Sequence, residues 1–148
     1  MHTTAMPVTL VTGFITVLAL IFYFWTGMGV ATMRGKHKVD APTMIGPLEF
    51  ESAVRVQMNT LEWLVVYLPL LWLATIYFSP AMTVVYLSWL PAVLGIVWIL
   101  GRWMYMSGYM AAPNKRSNGF LISGIAIIGL LICAVVGLVM TWTAVSAV

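Results

Sequence analysis

Ionisable residues are scarce in this chain, so their spacing is informative. Counting from Arg55, Asn59 and Glu62 fall at i+4 and i+7, with Glu51 one turn earlier, so in a helix they share one face. A second set repeats the pattern, because Arg102, Tyr105 and Tyr109 stand at i, i+3 and i+7. Arg34 and Arg116 add two more guanidinium groups. Arginine holds carboxylates through paired, charge-assisted bonds, and a glutamate accepts from an ammonium. Tyrosine sets a hydroxyl on an apolar ring. Such a set suits a small ligand that carries several carboxylates and an amino group. No Ser or Cys stands in a nucleophile constellation, so the nucleophile of any reaction is expected to arrive with the ligand.

The elements that must position these groups follow from composition. Of 148 residues, 62% are hydrophobic and 7% charged, whereas a soluble domain has about a quarter of its residues charged. That excludes a water-soluble globular protein, and the high hydrophobicity excludes a disordered one. Every charge lies between Arg34 and Glu62 or between Arg102 and Arg116. The remaining chain supplies four apolar segments, about 7–33, 48–78, 82–112 and 119–147, each long enough to cross a bilayer. The expected fold is therefore all-α, an integral membrane four-helix bundle forming a single domain over 1–148. Ser79-Pro80 is expected to turn the chain and Pro91 to kink the third helix. No Lys or Arg precedes the first segment, which is thus expected to be a retained helix and not a cleaved leader. The two basic connections fall on one side, which the positive-inside rule assigns to the cytoplasm, with both termini on the other.

The formal charge of +3 is too small for a phosphate-binding surface, so no nucleic-acid partner is expected. One cysteine, Cys133, leaves no disulfide framework and no Cys-based metal site, and no metal is expected. Plainer readings exist for the polar sets. Glu51 and Arg55 can form an ion pair at the membrane edge, and Arg102 with its tyrosines can form an aromatic belt with an arginine anchor. Arg116 can be a topology-setting anchor beside Lys115. Convergence favours a site, because two helices and both connections deliver these groups to one membrane face, where ionisable side chains mark function.

The run Glu49-Phe50-Glu51-Ser52-Ala53-Val54-Arg55-Val56-Gln57-Met58-Asn59-Thr60-Leu61-Glu62 resembles the signature of the MAPEG family, the membrane-associated proteins in eicosanoid and glutathione metabolism. The resemblance begins at Gly46-Pro47 and continues through Gly101-Arg102-Trp103-Met104-Tyr105 and Gly108-Tyr109 to Arg116. It implies four transmembrane helices per subunit, a homotrimer, and glutathione bound at subunit interfaces near the cytoplasmic face, at the inner membrane in a bacterium. Arg34, Arg55, Gln57, Asn59, Glu62, Arg102, Tyr105 and Tyr109 match the family's glutathione-binding positions. Arg116 matches the arginine that holds and activates the glutathione thiolate, the catalytic role.

The implied activity is a glutathione transferase that uses glutathione as co-substrate against lipophilic electrophiles, with glutathione peroxidase activity toward lipid hydroperoxides as a further option. Two departures refine this. Trp63 stands where several members have tyrosine, and Gly35 follows Arg34 where leukotriene-conjugating members have a second arginine. Arg55 is present, whereas the non-catalytic lipoxygenase-activating members lack that arginine. The alternatives are a non-catalytic lipid- or glutathione-binding membrane protein and a small multidrug-type transporter coupled through Glu62. The neighbouring arginines oppose the cation capture that the transporter would need.

Overall fold

The computed structural model describes residues 5–147, so residues 1–4 and 148 of the expected domain, and with them the chain ends assigned to the far side, lie outside the described residues. Among the described residues, four helices are long and apolar enough to cross a membrane. They are α1 (Ala5–His37), α2 (Leu48–Leu73), α3 (Leu90–Ala111) and α4 (Ser117–Ser146). No strand occurs among the described residues. This is an all-helical membrane bundle in which α1 packs mainly on α2, and α3 on α4. In each span between 28% and 39% of the most apolar window is buried inside the bundle. Much of the remaining surface is Leu, Ile, Phe and Trp, with Phe24 70% and Trp142 75% exposed. Such a surface suits hydrocarbon, where helices satisfy their own backbone groups and apolar side chains face outward at no cost.

The core is built from Ile15 and Ala19 of α1, Leu64, Tyr67 and Leu71 of α2, Trp98 of α3, and Leu130 and Cys133 of α4. Tyr67 stacks on Trp98 at 3.8 Å between ring centres and donates its hydroxyl to the Gly95 carbonyl at 3.1 Å. Thr12 and Thr75 share a buried hydroxyl bond of 3.0 Å, and the Trp72 indole donates to Thr16 at 3.2 Å. Lipid offers no hydrophobic drive for helices to associate, so close packing and such interhelical bonds carry that task.

Small residues let α3 and α4 touch backbone to backbone. A Cβ at Gly101 would lie 2.7 Å from the Ser123 amide nitrogen, and one at Gly119 would collide with the Tyr105 backbone. That crossing fixes the start of α4 against the end of α3. Farther along, Gly137 leaves the same kind of space for the Phe78 backbone.

Three boundaries differ from expectation. Helix α1 continues past Met33 for another turn, so Arg34, Lys36 and His37 are helical. It ends where Lys38 takes a left-handed conformation, φ 52°, and the Val39 and Lys38 amides bond back to the Arg34 and Gly35 carbonyls. Ser79-Pro80 does not turn the chain. Helix α2 passes through one π-helical turn, Ala74–Phe78, into a short helical stretch, Ser79–Ala81, that contains Pro80. Finally, the expected kink at Pro91 is a break. A short turn, Val85–Ser88, stops at Trp89, and α3 restarts with Pro91 in its first turn, since proline cannot continue the preceding ladder.

Candidate functional site

Arg55, Met58, Asn59 and Glu62 line one side of a groove of about 840 Å³. Helical spacing puts them there, with α2 buried on its other faces by Phe50, Val54, Val56, Thr60 and Leu64. Tyr105 and Tyr109 of α3 form the back, and Arg116, Ser117, Phe120 and Leu121 form the far wall. The wall stands close because the 3-10 turn Pro113–Arg116 delivers Arg116 directly to the start of α4, whose Gly119 rests on Tyr105. Both charged connections therefore lie at one end of the bundle.

The charged groups of the groove are not paired with one another. Among the described residues, the ion pairs are those of Lys36 and His37 with Glu49, outside the groove. No ion pair joins Glu51 and Arg55, the plainer alternative, and Glu51 instead accepts from the Gly46 amide at 3.0 Å, closing the entry to α2. Glu62 accepts from the Asn59 side-chain amide at 3.2 Å. The Arg116 guanidinium lies 5.0 Å from the Tyr109 ring centre, and Tyr109 meets Tyr105 edge to face at 5.6 Å. Arg55 and Arg116 are exposed, as is Glu62. Two cations and one carboxylate thus face a common space with tyrosine rings between them.

Six of the nine residues singled out from the sequence meet at this groove: Arg55, Asn59, Glu62, Tyr105, Tyr109 and Arg116. The other three lie elsewhere in the bundle. Arg34 folds over its own connection, donating to the carbonyls of Val39 (3.3 Å), Asp40 (3.2 Å) and Thr43 (3.0 Å), with its guanidinium 4.9 Å from the Phe50 ring centre. Gln57 points to α1, where its amide donates to the Tyr23 hydroxyl at 2.7 Å. Arg102 is wholly buried behind the groove, bonded to Asn59 and Thr60. Met58, Ser117, Phe120 and Leu121 were not anticipated. Met58 follows Arg55 by three residues and Phe120 follows Arg116 by four, so helical spacing from the two arginines was the signal available.

Below the groove an apolar slot of about 260 Å³ opens against Glu62, Trp63, Val66 and Ile127. Glu62 borders both spaces. Trp63 and Phe120 meet edge to face at 5.0 Å, a partition between the polar groove and the slot.

Comparison with known proteins follows the same lines. The MAPEG family model matches residues 12–136. A protein of Synechocystis sp. that bears no functional name is 38% identical over 84% of this chain and 85% of its own length. Microsomal glutathione S-transferase 2 of Mus musculus is 39% identical over 64% of this chain, and the match spans 58% of that enzyme, less than two thirds of it. Leukotriene C4 synthase of Cavia porcellus is 30% identical over 84% of this chain and 77% of its own. The family match runs from Thr12, at the core of the bundle, to beyond the last residue of the groove, and the chain belongs to the MAPEG family.

Proposed function

We propose that the groove binds glutathione and that the protein is a membrane glutathione transferase acting on lipophilic electrophiles. The observation that carries this reading is the set of Arg55, Arg116 and Glu62, free of ion pairs with one another around one cavity with Tyr105 and Tyr109. Glutathione has two carboxylates, one ammonium and a thiol, so the charges match in kind. Arg55 takes a carboxylate, Glu62 the ammonium, and the tyrosines hydrogen-bond the peptide. Arg116 stands over the remaining end and holds the sulfur. A free thiol titrates near 8.5, and a neighbouring guanidinium lowers that by about 1 to 3 units, which makes the reactive thiolate abundant at neutral pH. The contacts to the rest of the peptide fix the sulfur in place, itself a large part of the rate.

The electrophile reaches the sulfur from the apolar slot beside Trp63, Val66 and Ile127. A lipid hydroperoxide would use the same route. The name of one relative, a glutathione S-transferase, supports glutathione as the co-substrate. We place the groove at the cytoplasmic face, where the basic connections belong. In the homotrimer we propose, the α1–α2 edge bearing Arg34 and Gln57 closes a neighbour's groove.

The test is glutathione binding to purified protein, followed by thiolate absorbance and turnover with a small aromatic halide. Binding with a thiol pKa below the free value, and conjugation, is the expected result. Binding without turnover would leave a non-catalytic glutathione-binding protein, and no binding would remove the reading.

A further inference from the structure

Arg102 is fully buried and yet uses few of its hydrogen-bonding groups. Its Nη2 donates to Asn59 Oδ1 at 3.2 Å and to Thr60 Oγ1 at 2.9 Å, while Nε and Nη1 have no partner. Burying a guanidinium is costly, and leaving donors unmade adds to the cost, so an apolar side chain of similar volume would pack here more favourably. Bundle stability therefore gives no reason for an arginine at this position. The neighbours it does hold supply one.

On the α2 side, the bond to Oδ1 fixes which way the Asn59 amide faces, so that Nδ2 points to Glu62 Oε2 at 3.2 Å. On the other side, the same guanidinium lies 4.1 Å from the Tyr105 ring centre. Tyr105 meets Tyr109 at 5.6 Å, and Tyr109 carries Arg116 at 5.0 Å. One flat cation behind the groove is thus linked to Glu62 through an amide and to Arg116 through two rings. A lysine would not reproduce this, because its compact ammonium lacks the extended flat face that lies over the Tyr105 ring while one end donates to Asn59 and Thr60.

We propose that Arg102 is a positioning residue, which sets Glu62 through Asn59 and does not itself contact the ligand. Its effect on affinity rests on the glutathione reading above; its effect on Asn59 does not. The chain has three asparagines, Asn59, Asn114 and Asn118, so selective ¹⁵N labelling gives a simple side-chain amide spectrum. In wild-type protein the Asn59 amide protons should exchange slowly. In Arg102→Met and Arg102→Lys they should shift and exchange faster, with the other two unchanged. Glutathione affinity should fall about tenfold in either variant, and Arg102→Met combined with Asn59→Ala should bind no more weakly than Asn59→Ala alone, because the two act in series.

An unchanged Asn59 signal in assembled Arg102 variants overturns the proposal whether or not glutathione binds. Losses that multiply in the double variant also overturn it, since they mean that Arg102 acts independently of Asn59. If Arg102→Met does not assemble, Arg102→Lys decides by the same two readouts. Wild-type protein that ignores glutathione while its Asn59 amide responds to Arg102 would remove the function proposed above and keep the positioning.

Discussion

The two halves of α2 solve the same problem in opposite ways. In the far half, polar groups are spent on neighbouring helices: Tyr67 bonds to the Gly95 carbonyl and Thr75 to Thr12, and Trp72 reaches Thr16. In the near half, Arg55 and Glu62 face a cavity, with no ion pair between them or to any other described residue. Both halves belong to one helix in one bundle. The difference teaches that polarity in a membrane helix does not by itself mark a site. What marks one is polarity that the fold leaves over.

The contrast is broken most severely by truncating each half in turn. Leu71→Ala empties a fully buried position and is expected to destabilise the bundle by about 2 to 5 kcal/mol. Glutathione affinity per folded molecule should stay the same. Arg55→Ala should do the reverse, leaving the melting temperature in detergent unchanged while affinity falls roughly 10- to 100-fold, as expected for a lost charged hydrogen bond. Thermal unfolding and equilibrium binding on the two variants check both arms, and a shared phenotype would erase the division between the halves.

The division was partly legible in the sequence. Four spans follow from the clustering of all charge into two stretches, and the i, i+4, i+7 spacing of Arg55, Asn59 and Glu62 survives intact as one wall of the groove. Arg102 was not legible. Its i+3 spacing to Tyr105 puts both on one face of α3, but whether that face meets a cavity or α2 depends on the approach of α2, and Thr60, which accepts from Arg102, looks like any other helical threonine. Arg34 and Gln57 were hidden in another way. Within the chain each makes contacts at the α1–α2 edge that spacing does not encode, one with a folded connection and one with the hydroxyl of Tyr23. The π-helical turn that carries α2 past Ser79-Pro80 also has no local sequence mark. It lies where Gly137 of α4 admits the Phe78 backbone, a tertiary feature.

Smaller changes sharpen the comparison. Thr75→Val removes the buried bond to Thr12 and should cost about 0.6 kcal/mol, the average for such bonds between membrane helices, with no change in affinity. Unfolding in denaturant measures this, and a loss of glutathione binding would mean that the far half also serves the site. Lys36→Ala, which breaks the exposed contact to Glu49 outside the groove, should alter affinity by no more than about twofold. A large effect there would extend the site to the α1–α2 connection.

The most direct test is the acidity of the bound thiol. Thiolate absorbance of saturating glutathione is titrated from pH 5 to 10, as about the accessible range around the free thiol value, on wild-type protein and on Arg116→Leu. The thiolate is the reactive form, so a guanidinium that favours it moves the curve down in pH, and its removal moves the curve back up toward 8.5. Glutathione affinity should remain within about tenfold, because the carboxylate and ammonium contacts proposed above are those of Arg55 and Glu62. Turnover should fall at neutral pH and recover at alkaline pH. Assembled Arg116→Leu protein whose titration curve overlays the wild-type curve would contradict the account.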